Sequence, residues 1–275
     1  MEKKQELKFE SPSFVDRLKG MLGVDFYRLF HTPLFYIFLA IAAIIPAMIL
    51  GMTSIEQPDG ATMQLYTNTW QVIAAESPLY VVNTIAEYAN MNMVFIFGGI
   101  MVSIFIGHDY KSGYVKQLFT THAKKQDYMM SKSIIGAFSM ACMCVTYLFG
   151  TVVAGLFVQA SFSVNVGSLI IAILSKIVMS LGWASLYTML NVIFRRYFGI
   201  SIASCFFFGT GILIVGVAAI LGNNSILNIF LYGSSVYACL SSNALTFFVC
   251  LGISALWTFI YNALGTYILS KSDVY

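Results

Sequence analysis

The sequence predicts an all-α polytopic membrane protein: six transmembrane helices, an N-terminal amphipathic interfacial helix ahead of them, and both termini cytoplasmic. Three observations predict it. First, the 275 residues are 59% hydrophobic and only 10% charged, against about 25% charged in a soluble domain, and the mean hydropathy is +0.80. A soluble chain of this length has no interior large enough to hide that much apolar surface, so lipid is the solvent for most of it. Second, long windows without charge recur along the chain, the longest from Tyr197 to Ser270. Third, fourteen of the fifteen Lys and Arg fall in segments that alternating spans bring to one face. The opposite loops hold only Glu56, Asp59, Glu76 and Glu87. This is the positive-inside pattern, and it requires an even number of spans with both tails on the basic side.

The elements follow in order within a single transmembrane domain, residues 1–275. Residues 12–31 form the amphipathic helix. Phe14, Val15, Leu18, Met21, Leu22, Phe26, Leu29 and Phe30 recur at spacings of three and four, and Asp16, Arg17, Lys19, Asp25 and Arg28 fill the other face. That pattern carries too many charges to span and is expected to lie along the inner membrane surface, or against a partner. Ser13 with Asp16 resembles a capping box. The chain turns at His31–Pro33 into the first span. No short apolar core precedes a cleavage site there, so that span is expected to be retained.

A span needs about 20 apolar residues. The charge-free windows place spans at about 33–55, 88–108, 133–158, 168–194, 198–221 and 245–269. Pro46 lies inside the first, where a kink is expected. Residues 56–87 are the long outer loop, partly helical in "SPLYVVNTIAEYAN". Residues 222–244 are too polar to span and too apolar for a plain loop, and are expected to be interfacial or re-entrant at the outer side. The break "QASFSVNVGS" makes the third and fourth spans a tight hairpin.

Much chemistry is absent from the sequence. No Gly is followed by Lys, so the Gly-Lys-Ser/Thr of a phosphate-binding P-loop is missing. There is no HExxH or GxSxG, and the spans hold no Asp or Glu, which weakens proton- or sodium-coupled transport. His31, His108 and His122 sit at the inner edge as solvated interface residues, not as a metal set. The five cysteines, Cys142, Cys144, Cys205, Cys239 and Cys250, contain no CxxC and read as free thiols packed as small hydrophobes. A disulfide through Cys239 is the alternative. No nucleic-acid partner is expected.

Two features stand apart. Lys176 lies inside the fourth span, about 12 Å from its outer end, and an unpaired lysine there costs about 2.5–3.5 kcal/mol. It snorkels outward, lines a water-filled translocation path, or is held by a backbone carbonyl. The second feature is the cytoplasmic loop 109–132, "DYKSGYVKQLFTTHAKKQDYMMSK", the one long polar stretch between apolar regions. Tyr110, Tyr114, Leu118 and Phe119 form one face of a short helix expected over about Lys111–Thr120, with Lys111 and Lys116 on the other.

In this loop Asp109, Gly113, Lys116 and Leu118, a basic turn at Lys124, and Lys132 at the next span resemble the permease subunit of type-2 ABC exporters. The long outer loop resembles the subgroup that exports lantibiotics and other amphipathic antimicrobial peptides or confers immunity to them. Where such permeases often carry Glu, a Pro and an Arg, this chain has Asp109, no Pro, and Lys124 and Lys125. The resemblance implies a multi-pass protein of a bacterial plasma membrane, with no cofactor of its own. It also implies a second permease copy or similar subunit, two separate cytosolic ATPase subunits holding ATP and Mg, and an amphipathic peptide as substrate. Asp109, Lys111, Gly113, Tyr114, Lys116, Leu118 and Phe119 then form the ATPase-coupling element. The alternatives are a membrane-embedded lipid-modifying enzyme, which needs clustered Asp, His or Arg at one face, and a non-transport sensor or assembly subunit.

Overall fold

A computed structural model describes residues 13–54, 81–120, 123–157, 166–222, 229–240 and 244–271. Among these the chain is helical, with short turns and no strand. The helices are α1 (Phe14–His31), α2 (Pro33–Ser54), α3 (Val81–Lys111), α4 (Tyr114–Thr120), α5 (Lys125–Phe157), α6 (Val166–Ile193), α7 (Phe198–Gly222), α8 (Leu231–Leu240) and α9 (Ala244–Lys271).

Four stretches are long and apolar enough to cross a membrane alone: Asn92–Lys111, Lys125–Ala154, Ile170–Ile193 and Ala244–Lys271. A fifth candidate is the pair α1 and α2, which bends by 66° at Thr32. Within α7 the apolar stretch Phe198–Gly211 is shorter. These long apolar helices are compatible with a multi-pass membrane protein.

Local sequence explains the ends. Ser13 caps α1, its hydroxyl accepting from the Asp16 amide at 3.3 Å and donating to the Asp16 carboxylate at 2.6 Å. Thr32 ends α1, and Pro33 opens α2 at the position where a missing N–H costs nothing. α2 continues through Pro46 to Ser54.

Two helices outrun the windows read from sequence. α3 has 31 residues and α5 has 33, so they reach about 46 and 50 Å at 1.5 Å per residue, well beyond about 30 Å of hydrocarbon. α3 begins at Val81 rather than residue 88, and α5 at Lys125 rather than residue 133. A charge-free window finds the part that lipid tolerates, whereas the helix continues into its charged ends. The expected coupling helix is corrected the other way. Lys111 belongs to α3, Ser112 and Gly113 form a turn, and α4 spans only Tyr114–Thr120. Gly113 has φ +74°, a left-handed conformation that glycine adopts without steric cost.

α6 is central, packing against α3, α5, α7, α8 and α9. Its Trp183 is fully buried, stacked on Phe95 (5.5 Å between centroids) and edge-on to Tyr232 (5.0 Å). Between α2 and α5 the backbones touch at Gly150, where an added Cβ would lie 2.1 Å from the Ala43 carbonyl oxygen. Helices in lipid gain little from hydrophobicity between themselves, so such close approach supplies much of their attraction. Within 222–244, α8 is helical from Leu231 to Leu240. The loop 56–80, the break at 158–165, His122 and the side chain of Cys239 lie outside the described residues.

Candidate functional site

The ends of α1, α3, α5, α6 and α9 meet α4 at one end of the bundle, which also carries most of the described basic residues. Two arrangements hold them. The first is an apolar cluster of Met21 (α1), Val115 (α4), Tyr128 and Met129 (α5), Val192 (α6) and Leu269 (α9). Val115 is fully buried there, and Leu118 and Phe119 pack beside it, with Phe119 edge-on to Tyr128 at 5.7 Å. Lys111, Ser112, Lys116, Gln117 and Thr120 are exposed on the other side. The Lys125 amine donates to the Leu269 carbonyl at 2.8 Å, tying the start of α5 to the end of α9.

The second arrangement is a buried ionic network. Lys132 Nζ lies 2.5 Å from Asp25 Oδ1 and 2.7 Å from Asp109 Oδ2, and all three side chains are fully buried. Arg28 pairs with Asp109 Oδ1 and approaches Asp25 Oδ1 at 3.5 Å. Ser131 Oγ donates to Asp25 Oδ2 at 2.6 Å. Two carboxylates face two cations, so the set is neutral. Neutrality is one condition under which buried charges are tolerated.

Aromatic rings close the network. The Arg28 guanidinium lies 4.5 Å above the Tyr114 ring, and Lys132 Nζ lies 4.9 Å from the Phe105 centroid. Burial, followed by the charge of Asp25, pushes the Tyr114 phenol above its ordinary value, so it stays neutral and offers Arg28 a neutral π face. A further bond, Arg17 Nε to Asp127 Oδ2 at 2.7 Å, joins α1 to α5.

The expected coupling residues therefore divide. Asp109 is a buried partner of Arg28 and Lys132 and does not reach the surface. Tyr114, Leu118 and Phe119 hold α4 to the bundle, Gly113 makes its turn, and Lys111 and Lys116 face outward. Tyr110, assigned to the short helix by sequence, belongs to α3.

The sequence places Asp25 and Arg28 on the polar face of the amphipathic helix; Asp25 is buried. A signal was available: Asp25 stands four residues after Met21 and four before Leu29, on the register that both of those buried residues occupy. Phe14, Val15, Tyr27 and Phe30, by contrast, are exposed.

Lys176 lies far from this end. It is buried and donates to Asn92 Oδ1 at 2.6 Å and to the Ser235 carbonyl at 2.8 Å, joining α6 to α3 and α8. The Ser235 carbonyl is one of its two acceptors, and the amine is not extended toward the surface. Among the described residues no group of His, Cys, Asp or Glu is arranged to hold a metal. His31 Nδ1 instead lies 2.7 Å from the Tyr27 carbonyl, and His108 is exposed.

No protein-family model matches this chain, and no curated protein matches it either.

Proposed function

We propose that this chain is the permease subunit of an ATP-driven exporter of the type-2 ABC class, crossing the membrane six times with both termini in the cytoplasm. α2 and α7, with 22 and 25 residues, reach about 33 and 37 Å and supply the first and fifth crossings beside the four longer candidates. The helix α4 is the mechanical handle. Two separate ATPase subunits carrying ATP and Mg press on it, and two permease copies rock to move an amphipathic peptide outward.

The observation that carries this reading is the seating of α4. On one side of this seven-residue helix Val115 is buried in a cluster with residues of α1, α5, α6 and α9, and the other side presents Lys116 and Gln117, next to Lys111 at the end of α3. A plain positively charged anchor needs the lysines but not the buried Val115, Leu118 and Phe119. Because packed interiors are stiff, a push on α4 passes to α3, its backbone neighbour, and into the apolar cluster around Val115.

The test is co-purification with a candidate cytosolic ATPase subunit, comparing the natural protein with Lys111→Glu/Lys116→Glu. Lost ATPase stimulation in a folded variant supports the reading; unchanged binding and stimulation refute it. The peptide substrate is tested separately, by ATP-dependent movement of a labelled lantibiotic in vesicles.

A further inference from the structure

A second feature of the basic end lies where α3, α6 and α7 meet. A cavity of about 240 Å³ opens between α3, α6 and α7, lined by Tyr110, Lys111, Asn191, Arg195, Arg196 and Ser201 together with Gly107 and Phe198. Three of these side chains are cationic, and three carry neutral hydrogen-bonding groups. None is acidic. Asp109, one residue before Tyr110, is committed to Arg28 and Lys132 in the ionic network. α7 starts at Phe198, so the positive end of its dipole adds to the same field.

Three cationic side chains around one concave space attract an anion that enters it. The volume is below the roughly 300–1,000 Å³ of pockets that enclose a drug-sized molecule, so it suits a headgroup with its chains left outside. The lining turns apolar at Phe198, which is exposed at the start of α7. An acyl chain resting on Phe198 brings its phosphate to the arginines. Basic pockets between membrane helices bind anionic headgroups by this chemistry.

We propose that this cavity binds the phosphate of an anionic phospholipid from the leaflet that meets the basic end. The proposal stands independently of the transport reading, because it concerns only what occupies the cavity.

The test uses the full-length protein in phosphatidylcholine nanodiscs doped with phosphatidylglycerol, with retained lipid counted by native mass spectrometry. Arg195→Gln/Arg196→Gln is expected to weaken retention by roughly tenfold to thirtyfold, while Lys19→Gln/Lys271→Gln, at exposed sites of the same end, leaves it unchanged. Arg196→Gln alone, at an exposed residue that a fold tolerates, is expected to weaken it by about fivefold. Equal retention by all variants overturns the proposal. Soluble inorganic phosphate and glycerol phosphate form the other arm. Failure of both to displace the lipid supports a membrane source, whereas displacement by either at comparable concentration assigns the cavity to a soluble anion and overturns it.

Discussion

Replacing Lys132 with Met is the sharpest perturbation of the ionic network. Lys132 touches both carboxylates, Asp25 at 2.5 Å and Asp109 at 2.7 Å. Its removal leaves two buried acids sharing Arg28, whose side chain is one-quarter exposed. Breaking a buried pair by deleting one member costs about 3–5 kcal/mol, because the remaining charge is stranded. On the soluble-protein scale that corresponds to a fall in melting temperature of about 6–20 °C. Lys132→Met/Asp109→Asn restores neutrality, leaving Arg28 with Asp25, and is expected to recover about 0.5–3 kcal/mol relative to Lys132→Met alone. The assay is thermal unfolding in a fixed detergent, followed by tryptophan fluorescence. Lys19→Met, at an exposed site of α1, serves as the control and is expected to stay within about 0.5 kcal/mol. A Lys132→Met protein that melts with the natural one, or a double variant no better than the single, would show that the network does not bind α1, α3 and α5 together.

Three further outcomes are expected. Gly150→Ala places a methyl group against the Ala43 carbonyl and should cost about 1–3 kcal/mol by forcing α2 from α5; an unchanged melting temperature contradicts that contact. Gly113→Ala meets no neighbouring atom but keeps φ +74°. It should therefore cost about 1–2 kcal/mol of backbone strain, with Gly113→Asn costing less, and ATPase stimulation should fall in the same order. Lys176→Met should be nearly neutral in stability, because losing two hydrogen bonds offsets relief of a charge that costs about 2.5–3.5 kcal/mol to insert. Asn92→Leu leaves the buried amine only the Ser235 carbonyl and should cost about 1.5–3 kcal/mol. Transport lost in a stable Lys176→Met protein would instead mark Lys176 as lining the substrate path.

Periodicity and capping made α1 readable, since Ser13, Asp16 and Pro33 act on neighbours within a turn. Charge-free windows located the apolar part of each long helix but not its length, because α3 and α5 keep hydrogen-bonding past the point where lysines and aspartates appear. The short helix was readable from Leu118 and Phe119. Its start was misplaced because Lys111 satisfies a helical pattern on either side of the Gly113 turn. The ionic network was hidden for a different reason. Asp25 and Asp109 are 84 positions apart in the chain, and no local pattern tells a carboxylate that faces water from one that faces a lysine on another helix. The same applies to Lys176, whose partners Asn92 and Ser235 come from α3 and α8. Local rules set each helix, while the pairing of charges is decided by which ends the bundle brings together.

The central claim is that the outward side of α4 is where a separate ATPase grips this chain. A photoreactive amino acid at Gln117 tests it most directly, with a second placed at the exposed Phe157 at the other end of α5. Cross-linking to the ATPase from position 117 and none from position 157 is the predicted result. An ATPase that is stimulated by this chain yet cross-links only away from α4 would contradict the account.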